Sequence, residues 1–184
     1  MVGLFIGSFN PPTKAHLDIC LMLKDSFEKI VFVPVNTTEK HLVSFKKRVD
    51  MLNIYVRRFP FLEISSIMNQ YSYFDYRILN LLKERYHDVE IIIGSDILAN
   101  LSKFKAKDYL LENFIFHVIT REKYNAEEII KREYQDYQDK FYLHEYHSDI
   151  SSSLCRDLIK KKQDLKNFLD DEIFSYIEEN DLYF

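Results

Sequence analysis

The chain has 184 residues, of which 47% are hydrophobic and 29% charged, and its formal net charge is −4. These proportions exclude a disordered or fibrous chain, and the acidic balance argues against nucleic acid as a partner, because nucleic-acid-binding domains usually carry a basic excess. No run approaches the ~20 apolar residues that span a bilayer, and the two cysteines, Cys20 and Cys155, form no disulfide framework, so we expect a cytoplasmic protein that is not bound to a membrane.

Short apolar runs alternate with helical patterns along the chain. The predicted strands are Val2–Ile6, Lys29–Val35, Phe61–Ser65, Val89–Ile93, Phe114–Thr120 and Phe141–His144. The predicted helices are Lys14–Phe27, Ser44–Phe59, Asp75–His87, Asp108–Glu112, Ala126–Gln138, Ser151–Lys162 and Asp170–Glu179. Residues 91–93, all Ile, are typical of a strand covered on both faces. The alternation predicts an α/β protein with a doubly wound, mostly parallel sheet, in a single domain over residues 1–184.

The turn after the first strand has residue types that suit phosphate binding. Gly7, one of three glycines in the chain, lets the backbone pass close to a ligand, and Ser8 and Phe9 offer main-chain N–H groups. Thr13 is a good N-cap for the following helix, and His16 falls in its first turn. Taken alone, this Thr-x-x-His spacing is a weak signal, because an ordinary cap and an exposed helical His explain it as well.

A second segment, far along the chain, has the composition of an anion site. Its helix opens with Ser151, Ser152 and Ser153 and carries Arg156 one turn further on. Hydroxyl groups and the N–H groups at a helix start bind anions, and the planar guanidinium can hold two phosphate oxygens at once. A Ser-capped helix with a surface Arg would explain this segment by itself. The presence of both segments in one chain is harder to explain by chance.

Together the two segments resemble the motifs of the nucleotidylyltransferase superfamily. Three further stretches resemble the nicotinate/nicotinamide mononucleotide adenylyltransferases within it: residues 91–96 (Ile-Ile-Ile-Gly-Ser-Asp), 118–121 (Val-Ile-Thr-Arg) and 176–183 (Tyr-Ile-Glu-Glu-Asn-Asp-Leu-Tyr). The resemblance implies a Rossmann-like nucleotidylyltransferase fold. It also implies an enzyme of NAD biosynthesis that joins nicotinate or nicotinamide mononucleotide to the AMP moiety of ATP and releases pyrophosphate.

Carried over residue by residue, the resemblance implies a site for two nucleotides. The catalytic residues that it implies are His16, Lys40 and Arg156, which would supply positive charge and donors to the phosphates. Phe104 stands where a Trp commonly stacks on the pyridine ring, and it keeps the aromatic face. The full set of implied contacts with the nucleotides is Gly7, Ser8, Phe9, Thr13, Arg48, Gly94, Asp96, Phe104, Arg121, Ser152 and Ser153.

The implied reaction needs no enzyme nucleophile, because the attacking phosphate oxygen is already an anion. Mg²⁺ is the implied cofactor, and it would be held mainly by the substrate phosphates and by water, so no protein ligand to a metal is predicted. The implied partners are ATP and a pyridine mononucleotide. The sequence leaves open whether the protein forms a homo-oligomer. The remaining histidines show no metal-ligand spacing and are predicted to be surface or structural residues: His41, His87, His117, His144 and His147.

Two alternative functions stay open from the sequence. Residues 13–19, Thr-Lys-Ala-His-Leu-Asp-Ile, also resemble a motif of pantetheine-phosphate adenylyltransferase, an enzyme of coenzyme A biosynthesis, although that family lacks the 91–96 and 176–183 segments. The other alternative is a non-catalytic nucleotide-sensing domain on the same fold, against which the intact His16 and Arg156 argue. The sequence does not decide between nicotinate and nicotinamide mononucleotide as the substrate.

Overall fold

The computed structural model describes residues 1–36, 42–71, 74–104, 106–120 and 124–184. The strands are β1 (Val2–Gly7), β2 (Lys29–Pro34), β3 (Leu62–Ile64), β4 (Val89–Gly94), β5 (Phe116–Thr120) and β6 (Phe141–Glu145). They form one sheet in the order β3-β2-β1-β4-β5-β6. The α-helices are α1 (Lys14–Leu23), α2 (Phe45–Arg58), α3 (Tyr76–Tyr86), α4 (Ser95–Leu101), α5 (Lys107–Asn113), α6 (Ala126–Glu133), α7 (Ser152–Lys160) and α8 (Asp171–Glu179). The predicted α/β class with a parallel sheet is confirmed.

The structure differs from the sequence prediction mainly at helix boundaries. Helix α4 was not predicted, because its seven residues follow directly on β4 and are too few to show a helical period. Helix α6 ends at Glu133 rather than near residue 138, because Tyr134 leaves the helical backbone with a φ of −134°. Tyr134 turns its ring into the core and donates from its hydroxyl to the main-chain oxygen of Leu98 at 3.1 Å. Short 3₁₀ helices cover Ile67–Gln70 and Gln135–Lys140.

The chain divides into two compact units, of which the first comprises residues 1–6 and 75–148. In this unit β4 pairs in parallel with β1 on one side and with β5 on the other, and β5 pairs in parallel with β6. Residues 91–93 of β4 are each at most 3% exposed. Three consecutive buried side chains require cover on both faces of the strand, as the all-Ile run predicts.

The second unit comprises residues 7–74 and 149–184. Here β2 pairs in parallel with β3, with Val31 opposite Glu63, and the unit includes α1, α2, α7 and α8. The main-chain N–H of Val35 donates to the oxygen of Gly7 at 2.9 Å, which fixes the residue after β2 beside the end of β1. No helix in the described part of the chain is long and apolar enough to cross a membrane.

Three polar side chains form a bonded row across β4, β5 and β6 in the first unit. His117 is 6% exposed; its Nε2 lies 2.5 Å from Glu90 Oε2, and its Nδ1 lies 2.8 Å from His144 Nε2. The two imidazole rings stack, with centroids 5.0 Å apart. The hydrogen bond between the two facing ring nitrogens uses a single proton. If both rings carried protons on both nitrogens, two N–H groups would face each other and this bond would be lost. Both histidines therefore have a structural role.

We expect this row to make stability depend on pH. Burial lowers the pKa of His144 from its ordinary value of 6.5, and the neighbouring His117 lowers it further. The unfolded chain then binds the proton more readily, so the stabilisation is fully present above pH 6.5 and is lost as the pH falls from 6.5 through the folded-state pKa. Urea denaturation at a series of pH values from 5 to 8 measures this slope in the free energy of unfolding.

The variant His144→Asn should flatten that slope. The matched control is His147→Asn, because the His147 side chain is 78% exposed, and this variant should leave the slope unchanged. A His144→Asn protein with the wild-type pH dependence of unfolding between pH 5 and 7 would contradict this account of the row.

Candidate functional site

The turn after β1 is shaped by packing of its own side chains. Phe9 has a left-handed backbone with a φ of 48°, and its ring is 1% exposed. That ring packs edge-on against His16 and Phe32, with centroid distances of 5.1 and 5.2 Å. A Cβ atom at Gly7 would lie 3.1 Å from the Phe9 ring. The Phe9 ring thus fills the space beside Gly7, and a contact of Gly7 or Phe9 with a nucleotide stays a prediction.

The side chain of His16 caps the helix to which it belongs. Its Nδ1 accepts a hydrogen bond from the main-chain N–H of Thr13 at 2.9 Å and lies 2.8 Å from Thr13 Oγ1. Because Nδ1 acts as an acceptor, the neutral ring carries its proton on Nε2. Thr13 is 0% exposed, whereas His16 is half-buried. The cap therefore fixes His16 as a hydrogen-bond donor through Nε2, at the start of α1.

The start of α7 lies against the same turn. Ser152 Oγ donates to the main-chain oxygen of Pro11 at 2.7 Å. Arg156 donates from Nη1 to the main-chain oxygen of Asn10 at 2.7 Å and from Nη2 to Ser153 Oγ at 3.1 Å. The two segments singled out in the sequence, 141 positions apart along the chain, thus meet at one place within the second unit. The N-terminus of α7, where N–H groups attract anions, is thereby brought to the turn that precedes His16, together with Arg156.

Arg48 is a buried residue that bonds to the main chain of the turn. It is 1% exposed, and its Nη1 donates to the main-chain oxygens of Ser8 and Val35, both at 2.8 Å. Nη2 donates to Asn36 Oδ1 at 2.8 Å. Burial lowers the pKa of Arg48, and Tyr183 opposes that shift. The contact of Arg48 with a nucleotide stays a prediction, and its burial favours a part in positioning the turn. The contact of Thr13 with a nucleotide likewise stays a prediction, and its burial also favours a part in positioning the turn.

Asn10 is a residue of the site that sequence analysis missed. It is 1% exposed, and its Oδ1 accepts hydrogen bonds from Tyr183 Oη at 2.8 Å and from the main-chain N–H of Val43 at 3.1 Å. In the sequence, Tyr183 is one residue of the 176–183 stretch, and no separate role is predicted for it. An Asn before a Pro is typical of any turn, so the sequence carries no signal that this one is buried and bonded to the end of the chain.

The other predicted contacts lie in the first unit or outside the described residues. Gly94 ends β4 and is the N-cap of α4, and a Cβ atom there would collide with the carboxylate of Asp96. Asp96 is exposed, and Phe104 is 45% exposed just beyond α4. Lys40 and Arg121 lie outside the residues that the structure describes. For all five residues, contact with a nucleotide stays a prediction.

Cys155 lies inside the second segment, but it is not a nucleophile. Its side chain is 0% exposed, and burial raises the pKa of its thiol to about 11 although Arg156 lowers it. At neutral pH the thiol is therefore protonated and packed in the core. Cys20 is equally buried. In the described ranges no group of three or more His, Cys, Asp or Glu side chains is arranged to hold a metal ion.

Comparison with known proteins identifies relatives along the whole chain. Residues 4–158 match the family model described as Cytidylyltransferase-like. A probable nicotinate-nucleotide adenylyltransferase of Acholeplasma laidlawii is 32% identical, and the alignment covers 100% of this chain and 97% of the relative. The nicotinate-nucleotide adenylyltransferase of Bacillus subtilis is 26% identical, with 99% and 97% covered.

A solved structure shares the fold. The nicotinic acid mononucleotide adenylyltransferase of Plasmodium falciparum, complexed with NaAD, superposes with a TM-score of 0.81 at 21% identity. The superposition covers 99% of this chain and 96% of that one. At this level of identity the likeness supports the doubly wound fold.

We expect Arg48→Met to destabilise the protein strongly. The Met side chain keeps much of the volume but leaves the buried main-chain oxygens of Ser8 and Val35 without a donor, at a cost of about 1–3 kcal/mol each. Urea denaturation should show a loss of about 3 kcal/mol or more in the free energy of unfolding. Arg57→Met in the same helix is the control, since Arg57 is 69% exposed, and it should change stability by no more than about 0.5 kcal/mol. A loss below about 1 kcal/mol for Arg48→Met would show that the turn does not depend on Arg48.

Proposed function

The chain belongs to the nicotinate-nucleotide adenylyltransferases, within the cytidylyltransferase-like family, and on that premise we propose that it transfers the adenylyl group of ATP to nicotinate mononucleotide. The family predicted from the sequence is thereby confirmed. The observation that best supports the reaction in this chain is the bonding of the phosphate-type turn to the start of α7, through Ser152 to Pro11 and Arg156 to Asn10. The names of the relatives support nicotinate rather than nicotinamide as the base.

The reaction is a direct displacement at phosphorus. A phosphate oxygen of the mononucleotide attacks the α-phosphorus of ATP, the bond from that phosphorus to the bridging oxygen breaks, and pyrophosphate leaves with the electron pair. The difficulty is the repulsion between two anions and the charge that builds up on pyrophosphate. Orientation of two bound reactants alone can supply effective molarities of about 10⁵–10⁸ M. The protein therefore needs to align the reactants and neutralise charge, and it needs no nucleophile of its own.

The second unit supplies donors for this charge. His16 offers the Nε2 proton that its cap has fixed, and the start of α7 offers main-chain N–H groups. Arg156 has five N–H donors, of which its bonds to Asn10 and Ser153 use two, so the others can reach phosphate oxygens. We place the β- and γ-phosphates of ATP against these groups. Lys40, if its implied role holds, adds a further cation.

Mg²⁺ is the cofactor that we propose, held by the substrate. The side chains that the structure gathers at the turn are His16, Arg156 and hydroxyl-bearing residues, which donate to phosphate oxygens rather than ligate a hard cation. These residues do not themselves form a magnesium site, so its oxygen ligands would come from the phosphates and water. When bound, the ion would neutralise part of the charge on the phosphates.

A pyrophosphate-release assay tests the proposed function. The purified chain is given ATP and Mg²⁺ with nicotinate mononucleotide, nicotinamide mononucleotide or phosphopantetheine in parallel reactions. We expect nicotinate mononucleotide to give a kcat/KM at least about tenfold higher than the other two, since a site that bonds the nicotinate carboxylate discriminates against the neutral amide, and phosphopantetheine also lacks that carboxylate. A preference for phosphopantetheine would assign the chain to coenzyme A biosynthesis. Tight binding of ATP in calorimetry, with no pyrophosphate released in any reaction, would indicate a nucleotide-sensing domain instead.

The variant His16→Ala tests the proposed donor. Loss of one fixed hydrogen-bond donor to developing charge typically lowers kcat by about 10²–10³-fold, and we expect a fall of that size. Because His16 also caps α1, circular dichroism must confirm that the variant is folded under the assay conditions; the expected loss of stability is about 1 kcal/mol. The exposed His147, changed to Ala, is the control and should keep wild-type turnover. Near-normal turnover of a folded His16→Ala protein would remove His16 from the mechanism.

A further inference from the structure

The last residues of the chain bend back onto the phosphate-type turn. Helix α8 ends at Glu179, after which Leu182 is buried and its main-chain N–H donates to the oxygen of Ile177 at 3.0 Å. This anchor places the next residue, Tyr183, with its hydroxyl 2.8 Å from Asn10 Oδ1, across 173 positions of sequence. The penultimate residue of the chain is thus bonded to the turn between β1 and α1.

The backbone on both sides of this bond is strained. Tyr183 has a φ of 69°, and Phe9, which precedes Asn10, has a φ of 48°. Bulky residues rarely adopt this left-handed region, and they keep it only where surrounding contacts hold them there. Such strain is common at functional sites, because a defined placement of side chains is worth its cost.

Asn10 is the junction through which Tyr183 can act on the site. Its side-chain oxygen accepts from Tyr183, while its main-chain oxygen accepts from Arg156 Nη1 at 2.7 Å. Asn10 thus links the hydroxyl of Tyr183 to the guanidinium of Arg156. Burial raises the pKa of Tyr183, and the cationic Arg156 and Arg48 only partly offset that effect. The phenol consequently remains a neutral donor throughout the pH range in which the enzyme would work.

We propose that Tyr183 is a positioning residue for adenylyl transfer: its hydroxyl fixes Asn10 so that Arg156 and the N–H donors of the turn are held in the reacting geometry. This inference rests on the proposed function, because its effect is measured as adenylyl transfer. The proposed action of Tyr183 runs through Asn10, to which its hydroxyl is bonded. Small displacements of aligned groups cost large factors in rate, so loss of the hydroxyl should lower kcat more than it affects binding of the substrates.

The experiment compares Tyr183→Phe with a matched variant, Tyr176→Phe. Tyr176 lies on α8 and donates its hydroxyl to Asp50 Oδ2 at 2.9 Å, so this control removes a similar bond from the same end of the chain without touching the turn. We expect Tyr183→Phe to lower kcat about tenfold or more, with the KM for nicotinate mononucleotide changed less than threefold. Tyr176→Phe should keep kcat within twofold, and the two variants should show similar shifts in Tm. Equal kcat values for the two variants would overturn the inference.

A double-mutant cycle tests whether Asn10 carries the effect. If Tyr183 acts through the Asn10 side chain, Tyr183→Phe should change kcat less than twofold when added to Asn10→Ala. A tenfold fall in that background would overturn the inference. Should Asn10→Ala fail to fold, Asn10→Asp keeps the accepting Oδ1, and there Tyr183→Phe must again lower kcat about tenfold; an unchanged kcat would overturn the inference.

The wild-type reaction separates the two hypotheses. If the wild-type protein releases no pyrophosphate with any mononucleotide, the proposed function fails, and the inference on Tyr183 fails with it. If the wild-type protein is active and Tyr183→Phe has the same kcat, only the inference on Tyr183 fails.

Discussion

The hydrogen bond from Arg156 to the main-chain oxygen of Asn10 is the contact on which the candidate site depends. It joins a turn near the beginning of the chain to a helix near its end. Main-chain N–H groups at a helix start are fixed dipoles, and they stabilise charge only if they already lie where the charge develops. Since α1 and α7 are distant in sequence, their common placement comes from this bond and from that of Ser152 to Pro11. Without them, the start of α7 would lie apart from the turn and from His16.

A second arginine, Arg48, also fixes the main chain of the turn. Arg48 bonds the main-chain oxygen of Ser8, and Arg156 bonds that of Asn10. The N–H and C=O of a trans peptide point in opposite directions, so the bond at Ser8 turns the N–H of Phe9 away from Arg48. The turn is thus fixed through its carbonyl groups. The protein itself therefore sets the orientation of the turn, as preorganised electrostatic catalysis requires.

The sequence predicts the strands well and the positioning contacts poorly, for physical reasons. Strands such as β4 show as continuous apolar runs because burial on both faces leaves no polar residue, and the two segments proposed to bind phosphate show through their residue types. Helix α4 has too few residues to show a period. The sequence identifies Arg48 as a candidate cation of the site, but it does not predict that Arg48 is buried against the turn, because this burial depends on how α2 packs. The bond of Tyr183 to Asn10 links residues whose proximity only the folded chain determines.

The two arginines also explain how a chain of net charge −4 can attract a polyanion. In the described part of the chain, neither Arg48 nor Arg156 forms an ion pair with a carboxylate; both bond neutral oxygens instead. A guanidinium remains charged even when buried, and a carbonyl dipole stabilises that charge without cancelling it. Burial of an uncompensated cation costs solvation energy, but the surrounding low dielectric lets its field extend further than it would in water. Carboxylate partners would make the turn more stable and less attractive to phosphate. The use of main-chain oxygens keeps the positive potential where the triphosphate is proposed to bind.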